Sequence, residues 1–297
     1  MLLAERRKLG AKLVANQRIK GPRFALACVL ALSVALTACA SSNDAAKMLN
    51  PDPPEKMYAE ADQLMNRGKY ESAASKFEDL DRDHPYSPEA RRAMVMAAYA
   101  YYKAGKTQEA IATARRYTTM HPGTKEAALA HHIIISSYFD EMVGPNRDQT
   151  NARKALAELQ TLKARYPDSP YARDADNRIR IAQDSIAAAE MEVGRYYLKR
   201  KNYLAAINRF KTVVTEYQTT AHVEEALMRL TESYMALGIK QEAQTAAAVL
   251  GHNFPSSPWY KDAYALLQSD GLAPREDTGS WLSRAWKNVK LPKLTSN

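Results

Sequence analysis

A four-residue phrase that occurs three times constrains the fold of this chain more than any other feature. Two prolines with a serine before the second one stand at 85–88, 167–170 and 255–258. Proline cannot continue a helix, whereas serine is a favourable N-cap and proline is favourable at the first helical position. The phrase therefore ends one helix and begins the next, and its three copies predict a helical repeat.

The residues before the phrase set the length of the repeat. Gly68, Gly105 and Gly238 each precede a closing position by 17 residues, and each is followed five residues later by alanine. Small residues of this kind suit two helices that cross closely, and the pattern resembles the tetratricopeptide repeat, whose unit is about 34 residues. Successive repeats are 37 to 51 residues apart. We count five repeats, which close at Pro85, Pro122, Pro167, Gln218 and Pro255.

The predicted fold class is all-α: a tetratricopeptide-repeat solenoid of about five helix-turn-helix repeats. Only 11 of the 297 residues are glycine, which disfavours a fold rich in hairpins. The two longer spacings predict a loop over 144–149 and one long helix over 171–200. An ordinary helical bundle is the alternative, and five copies in phase argue against it.

The N-terminal segment has the pattern of an export signal. Residues 24–36 are apolar and follow a basic stretch, and 13 residues are too few to cross a bilayer, which takes about 20. The run ends in Leu-Thr-Ala-Cys at 36–39, which resembles the lipobox of bacterial lipoproteins. This resemblance implies that Cys39 becomes the acylated first residue. Ala40 stands where aspartate would signal retention in the inner membrane, so the outer membrane is expected. An ordinary cleaved signal peptide is the alternative.

The charge of the chain lies at its two ends. The formal net charge is +9, of which six charges lie in residues 1–38 and three in 271–297, so residues 39–270 are neutral. A neutral body disfavours nucleic acid as a partner. Within the basic C-terminal end, 279–294 reads as an amphipathic helix, which suits either a membrane or partner surface or a cap on the solenoid. Its apolar face comprises Leu282, Trp286 and Val289.

The sequence contains no motif that supports catalysis. It has no phosphate-binding glycine loop, no His-Glu-x-x-His and no Gly-x-Ser-x-Gly. His84 and His121 directly precede the close of a repeat, which explains their positions. The adjacent pair His131 and His132 would point about 100° apart on a helix and rarely shares a ligand. We therefore expect a protein that is not an enzyme and has no metal and no cofactor.

A helical solenoid offers instead a surface lined by the first helix of each repeat, which binds polypeptide. Tyrosine and methionine on that surface give large, adaptable apolar contacts, which suit segments with aromatic side chains. Packing between helices is an equally simple explanation for each tyrosine. The predicted substrate groove comprises Tyr58, Asp62, Met65, Arg92, Tyr99, Tyr102 and Lys103.

Taken together, the lipobox, a proline-rich tether and five repeats resemble the BamD (ComL-like) lipoproteins of the outer-membrane β-barrel assembly machinery. The resemblance covers roughly residues 39–265. The segments that carry it are 52–58 (DPPEKMY), 98–103 (AYAYYK), 147–149 (RDQ), 166–171 (YPDSPY), 192–197 (EVGRYY) and 206–209 (AINR).

The resemblance implies a scaffold in the folding and insertion of β-barrel proteins. In that family the C-terminal repeats bind the periplasmic domains of the barrel protein BamA, alongside other lipoproteins of the BAM complex. The N-terminal repeats receive targeting segments of unfolded outer-membrane proteins. Asn208 and Arg209 match the surface that contacts BamA. The alternative is a periplasmic tetratricopeptide-repeat lipoprotein that serves as an adaptor for cell-wall enzymes.

These interpretations place the protein at the periplasmic face of the outer membrane, anchored by the lipid on Cys39. The predicted domain boundaries are a lipoprotein signal peptide at 1–38, a lipidated flexible tether at 39–54, N-terminal repeats 1–3 at 55–170, C-terminal repeats 4–5 at 171–270, and a basic extension with an amphipathic helix at 271–297.

Overall fold

The computed structural model describes residues 51–287 and 289. The predicted signal peptide, Cys39 and the tether as far as residue 50 lie outside the described residues. None of the described helices is both long and apolar enough to cross a membrane. The helices are α1 Pro54–Asn66, α2 Tyr70–Asp83, α3 Pro88–Lys103, α4 Thr107–Met120, α5 Glu126–Asp140, α6 Thr150–Arg165, α7 Ala175–Lys199, α8 Tyr203–Glu216, α9 Val223–Ala236, α10 Lys240–Asn253, α11 Pro258–Ser269 and α12 Trp281–Trp286.

The helices pack as a stack of neighbouring pairs. Each helix from α1 to α10 contacts the next one along the chain, and α12 contacts α10. The first helices of repeats one to three also touch, because α1 contacts α3 and α3 contacts α5, and α9 contacts α11 beyond the last repeat. Contacts limited to near neighbours are the mark of a solenoid. The predicted all-α tetratricopeptide-repeat solenoid is thus confirmed, with the pairs α1–α2, α3–α4, α5–α6, α7–α8 and α9–α10 as its repeats.

All five second helices end in the same backbone conformation. The C-cap residue has φ between −136° and −127° in every repeat, and its N–H donates to the carbonyl four residues earlier. The following proline, where present, fits this non-helical exit because it cannot continue the helix. The predicted closing positions therefore coincide with real helix ends. The five C-cap residues are His84, His121, Tyr166, Tyr217 and Phe254.

Serine starts the next helix in two of the three phrases. Ser87 Oγ accepts from the Ala90 N–H at 3.0 Å, and Ser257 Oγ accepts from the Trp259 N–H at 3.2 Å. The third phrase behaves differently, because Ser169 makes no capping bond and Pro170–Ala172 forms a 3₁₀ turn.

The long helix predicted over 171–200 begins late for this reason. It runs as α7 from Ala175 to Lys199. Tyr171 in the preceding turn stacks on His132 of α5, with ring centroids 4.8 Å apart. That contact holds the turn against the third repeat and leaves no continuous helical path from the proline.

Small residues sit where paired helices cross. Ala73, Ala110 and Ala243, which the repeat pattern predicted at crossings, are fully buried. Gly194 of α7 allows the closest approach, because a Cβ at this position would lie 2.4 Å from the ring of Phe210 on α8. Phe210 is itself fully buried, so α7 and α8 are joined through this contact.

The short turn inside repeats one, two, four and five contains a left-handed residue. Gly105 and Gly238 have φ of 74° and 73° there, and Lys201 holds the same position in the fourth repeat with φ 58°. A side chain in this region costs about 1–2 kcal/mol, part of which glycine loses again in the unfolded state. Lys201→Gly should therefore raise the free energy of unfolding by about 0.5–1 kcal/mol, measured by urea denaturation.

The reverse change at an equivalent turn is the control. A Cβ at Gly238 would meet no atom within 4 Å, so Gly238→Lys tests backbone strain without a steric clash. It should lower the stability by a similar amount. A Lys201→Gly variant no more stable than the parent chain would contradict this interpretation of the turn.

The C-terminal extension packs on the end of the solenoid. The apolar face predicted over 279–294 is realised in the one-and-a-half turns of α12, where Leu282 is fully buried and Trp286 is 7% exposed. The Trp281 indole N–H donates to the Tyr234 hydroxyl at 3.2 Å. These burials favour the cap over the membrane-surface interpretation for α12. Lys290 and Lys293 lie outside the described residues.

Deletion of 279–297 should accordingly destabilise the folded chain. The deletion removes Trp286 and exposes the core residues that it covers. Truncation of a buried tryptophan lowers the free energy of unfolding by about 3–5 kcal/mol. We expect a clear fall in the melting temperature measured by circular dichroism. Arg284→Ala, at an exposed position of the same helix, should leave it unchanged. An unaltered melting temperature after the deletion would contradict the cap.

Candidate functional site

The first helices of repeats one to three form a continuous surface, called here the first-helix face. Tyr58 of α1 is half-buried, and its ring lies 5.3 Å from that of Phe77. Burial and then Asp62 raise the pKa of Tyr58, while Arg92 of α3 acts in the opposite direction. These three predicted groove residues therefore lie close enough to interact, across the boundary between two repeats.

A second group on this face joins α3 to α5. Burial raises the pKa of Tyr102, and Asp140 at the end of α5 raises it further. Ser136, one turn earlier on α5, also lies beside the Tyr102 hydroxyl. Tyr102 thus keeps its proton at neutral pH and presents a polar hydroxyl among α5 side chains.

The other predicted groove residues divide between packing and the edge of the face. Tyr99 and Met65 are partly buried and pack on the cores of their repeats. The ammonium of Lys103 lies over the ring of Tyr70 on α2, 5.9 Å from its centroid. Lys103 is therefore placed toward the second helix of the first repeat.

Repeat three supplies further residues that the sequence reasoning missed. The first two repeats close 37 residues apart, and adding 37 to Tyr99, Tyr102 and Lys103 gives positions on α5. That projection was available from the repeat spacing alone. The residues it yields are Ser136, Phe139 and Asp140, and the same shift from Val95 gives His132.

Arg178 at the start of α7 completes this group. Its guanidinium lies 5.0 Å from the centroid of the Phe139 ring and donates to Ser136 Oγ at 3.3 Å. Burial, and then the charge of Arg178, lowers the pKa of His132, so this imidazole is neutral at pH 7. The first-helix face is therefore an aromatic surface with interspersed polar groups. Such a surface suits extended polypeptide with aromatic side chains.

A second candidate site lies where repeats three and four meet. It is a cavity of about 580 Å³ between the loop that precedes α6 and helices α7 and α8, called here the junction pocket. At its centre, buried Glu190 accepts from Arg209 Nη1 at 3.0 Å and from Arg153 Nη2 at 3.2 Å. One carboxylate between two guanidinium groups leaves one net positive charge.

Arg209 retains binding capacity despite this ion pair. Its side chain is 45% exposed, and a guanidinium carries five N–H donors. The bond to Glu190 therefore orients the Arg209 side chain and leaves other N–H donors available. The neighbouring Asn208 is exposed on the same helix.

The loop beside the pocket is held in place by a buried glutamine. Gln149 Nε2 donates to the carbonyls of Gly144 and Arg147, each at 3.0 Å. Its Oε1 accepts from Ser185 Oγ of α7 at 2.9 Å. The interruption predicted over 144–149 is thus a fixed wall of the pocket, and Arg147 belongs to its lining.

Apolar side chains are exposed next to these charges. Val193 and Tyr196 of α7 line the pocket and are 37% and 50% exposed. Leu204 at the start of α8 is 66% exposed. The guanidinium of Arg200 stacks on the Tyr196 ring, 4.3 Å from its centroid. Arginine and tyrosine beside exposed aliphatic groups are typical of a protein interface.

The described residues contain no group of three or more His, Cys, Asp or Glu side chains that could hold a metal ion. The first-helix face consists of aromatic and hydrogen-bonding groups, and the junction pocket adds the charged cluster of Arg153, Glu190 and Arg209.

Comparison with known proteins identifies a family and several relatives that this chain is similar to. Residues 50–250 match the family described as YfiO, outer membrane lipoprotein. The outer membrane protein assembly factor BamD of Caulobacter vibrioides is 39% identical over 85% of this chain and 83% of its own. The proteins of that name from Rickettsia prowazekii and Neisseria gonorrhoeae are 35% and 34% identical, over 82% and 79% of this chain and 96% and 93% of theirs. A thermophilic TPR protein of Thermus thermophilus matches in structure at 18% identity and a TM-score of 0.32, over 72% of this chain and 98% of that one.

Proposed function

This chain belongs to the YfiO family of outer membrane lipoproteins, and we propose that it is an outer membrane protein assembly factor that works as a lipid-anchored scaffold in the insertion of β-barrel proteins. The observation that carries the proposal is the identity of 34–39% to relatives named BamD, over 79–85% of this chain. Aligned lengths of 244 to 254 residues are long enough to include both candidate sites.

The junction pocket is the proposed contact with the periplasmic domains of BamA. Arg209, oriented by Glu190, offers charge-assisted hydrogen bonds to a carboxylate of the partner. Asn208 adds an amide on the same exposed side of α8. Exposed Tyr196 and Leu204 supply apolar contact around the charge, an arrangement common at stable interfaces.

The first-helix face is the proposed receptor for unfolded outer-membrane proteins. Its aromatic rings provide contact area for the aromatic side chains of an extended segment. The Tyr102 hydroxyl can donate to a backbone carbonyl, and the Asp140 carboxylate can accept from a backbone N–H, of a segment that has no other partner. This role involves binding alone, and no catalytic step is proposed.

The lipid on Cys39 is the proposed anchor to the periplasmic face of the outer membrane. A single acyl chain binds a bilayer only reversibly, whereas two or more chains hold a protein stably at about 0.8 kcal/mol per buried CH₂. The tether then joins the anchor to α1, which begins at Pro54, the last residue assigned to the tether. Other lipoproteins of the BAM complex are proposed as neighbours.

The rival proposal is an adaptor for cell-wall enzymes, since a solenoid surface can bind many partners. Affinity purification of the full lipidated chain in mild detergent separates the two. BamA and BAM lipoproteins in the eluate would support the assembly factor. Peptidoglycan enzymes in their place, with no BamA, would overturn it in favour of the adaptor.

A further inference from the structure

The first two repeats leave an open groove between their second helices, called here the α2–α4 groove. It encloses about 960 Å³ and is lined by α2, the turn at 85–88, the first turns of α3, and α4. Tyr86 in the turn is 99% exposed, and Met120 at the end of α4 is 58% exposed. Large apolar side chains at the mouth of a concave groove indicate a surface that another polypeptide covers.

The equivalent groove of repeats four and five shows what kind of segment can bind there. In the C-terminal half, the corresponding groove between α8 and α10 is filled by α12. Gln218 there occupies the closing position that Pro85 occupies in the first repeat, and its Nε2 donates to the Ala285 carbonyl at 3.2 Å. Phe254 corresponds to His121 and meets the Trp286 ring edge-on, with centroids 6.1 Å apart.

The same correspondence holds further along the groove. Lys211 of α8 lies over the Trp281 ring at 4.6 Å and occupies the place of Glu78 in α2. Leu282 and Trp286, four residues apart on one helical face, are the buried anchors. The groove between α8 and α10 thus binds a short amphipathic helix with two large apolar residues. We expect the equivalent α2–α4 groove to accept the same kind of ligand.

The groove between α4 and α6 explains why the first one is open. There the Tyr166 hydroxyl donates to the Pro122 carbonyl and spans the gap. His121 holds the place of Tyr166 in the α2–α4 groove, and its ring instead packs on Tyr117, with centroids 5.2 Å apart. The α2–α4 groove is spanned instead by the Arg116–Asp81 ion pair at 2.9 Å, and the space beside this pair is open.

Charge distinguishes the open groove from the filled one. Arg116 pairs with Asp81 at 2.9 Å, and Arg82 pairs with two aspartates of its own helix. Arg91 is exposed and forms no ion pair among the described residues, so its guanidinium is open to a carboxylate of a ligand. Glu78 accepts from the Tyr101 hydroxyl at 2.8 Å. A carboxylate on the ligand would complement Arg91, whereas the exposed residues of α12 and its C-cap are the cations Arg284 and Lys287.

We propose that the α2–α4 groove binds a short amphipathic helix of a partner protein that carries two large apolar anchors four residues apart and acidic side chains facing Arg91. The occupant is a separate protein because α12 is already buried in its own groove, with Leu282 fully inaccessible. This surface is distinct from both the junction pocket and the first-helix face.

The test uses a peptide based on α12. A fluorescein-labelled peptide of residues 278–289, with Arg284 and Lys287 each replaced by glutamate, is titrated with the full mature chain and followed by anisotropy. We expect saturable binding that Arg91→Glu and Met120→Asp each weaken about tenfold. The peptide with the native arginine and lysine should bind more weakly than the acidic one, since it lacks the carboxylates.

Ile181→Asp is the matched control, because Ile181 is an exposed apolar residue of α7 outside the groove. It should leave the affinity unchanged. Absence of saturable binding, or binding that Arg91→Glu and Met120→Asp do not alter, would overturn the proposal, since the peptide would then bind elsewhere. A dimer in sedimentation velocity that Met120→Asp dissociates would assign the groove to a second copy of the chain, and would overturn the separate partner.

Discussion

Arg209→Glu is expected to lower the amount of BamA that co-purifies with the chain by about tenfold or more, with the helical circular dichroism unchanged. The substitution removes the donors that Glu190 orients and places a second carboxylate beside it. The net charge of the cluster formed by Arg153, Glu190 and residue 209 changes from one positive to one negative. A carboxylate of the partner would then be repelled. That carboxylate would also lose its hydrogen-bond donors, which weakens binding further. The fold should survive because the Arg209 side chain is 45% exposed and the helix keeps its core residues.

Lys240→Glu is the matched control for this experiment. Lys240 is a comparably exposed cation of the C-terminal half and forms an ion pair with Asp270 at 3.1 Å. Its reversal changes the net charge of the protein by the same amount, away from the junction pocket. Equal loss of BamA in both variants would show that the effect comes from the net charge of the protein and not from the junction pocket. Undiminished co-purification of BamA with Arg209→Glu would refute the proposed contact.

Gly194→Ala is expected to lower the free energy of unfolding by about 1–3 kcal/mol, the range for an overpacked core. Helix propensity alone predicts the opposite sign, since alanine is favoured over glycine inside a helix by about 1 kcal/mol. The new methyl group would lie 2.4 Å from Cε1 of Phe210 and 2.8 Å from two further ring carbons. Because Phe210 is fully buried, the ring has no space to retreat and α7 must separate from α8.

Gly251→Ala supplies the comparison, measured by the same urea denaturation. A methyl group there would also lie 2.4 Å from a ring, that of Tyr260, but this ring is only half-buried and can swing outward. The cost should be smaller than at Gly194. Adding Phe210→Leu to Gly194→Ala should recover part of the loss, as neighbouring sites are not additive. A Gly194→Ala variant more stable than the parent would contradict this packing.

The repeats could be predicted from the sequence because their signals are local. Proline and serine act on the backbone at the position where they stand, so the helix ends follow directly from the phrase. The third phrase failed at Ser169 because a tertiary contact, the stacking of Tyr171 on His132, overrode the local preference.

The sites could be predicted less completely. Arg209 was found through resemblance, but its pairing with Glu190, 19 residues earlier, depends on how α7 and α8 face each other. The α5 members of the first-helix face, such as Phe139, were within reach of the repeat spacing. The partners of side chains on the rim, such as Lys103 over Tyr70, depend on rotamers that no spacing specifies. The burial of α12 depends likewise on a groove that only the folded repeats create.

Depletion of this protein from growing cells tests its role in barrel assembly most directly. The quantity to measure is the amount of folded β-barrel protein in the outer membrane, separated by its heat-modifiable mobility. We expect this amount to fall as the chain is depleted, to recover with the wild-type chain, and to stay low with Arg209→Glu expressed at the same level. Undiminished folded β-barrel protein after complete depletion would contradict the proposed function.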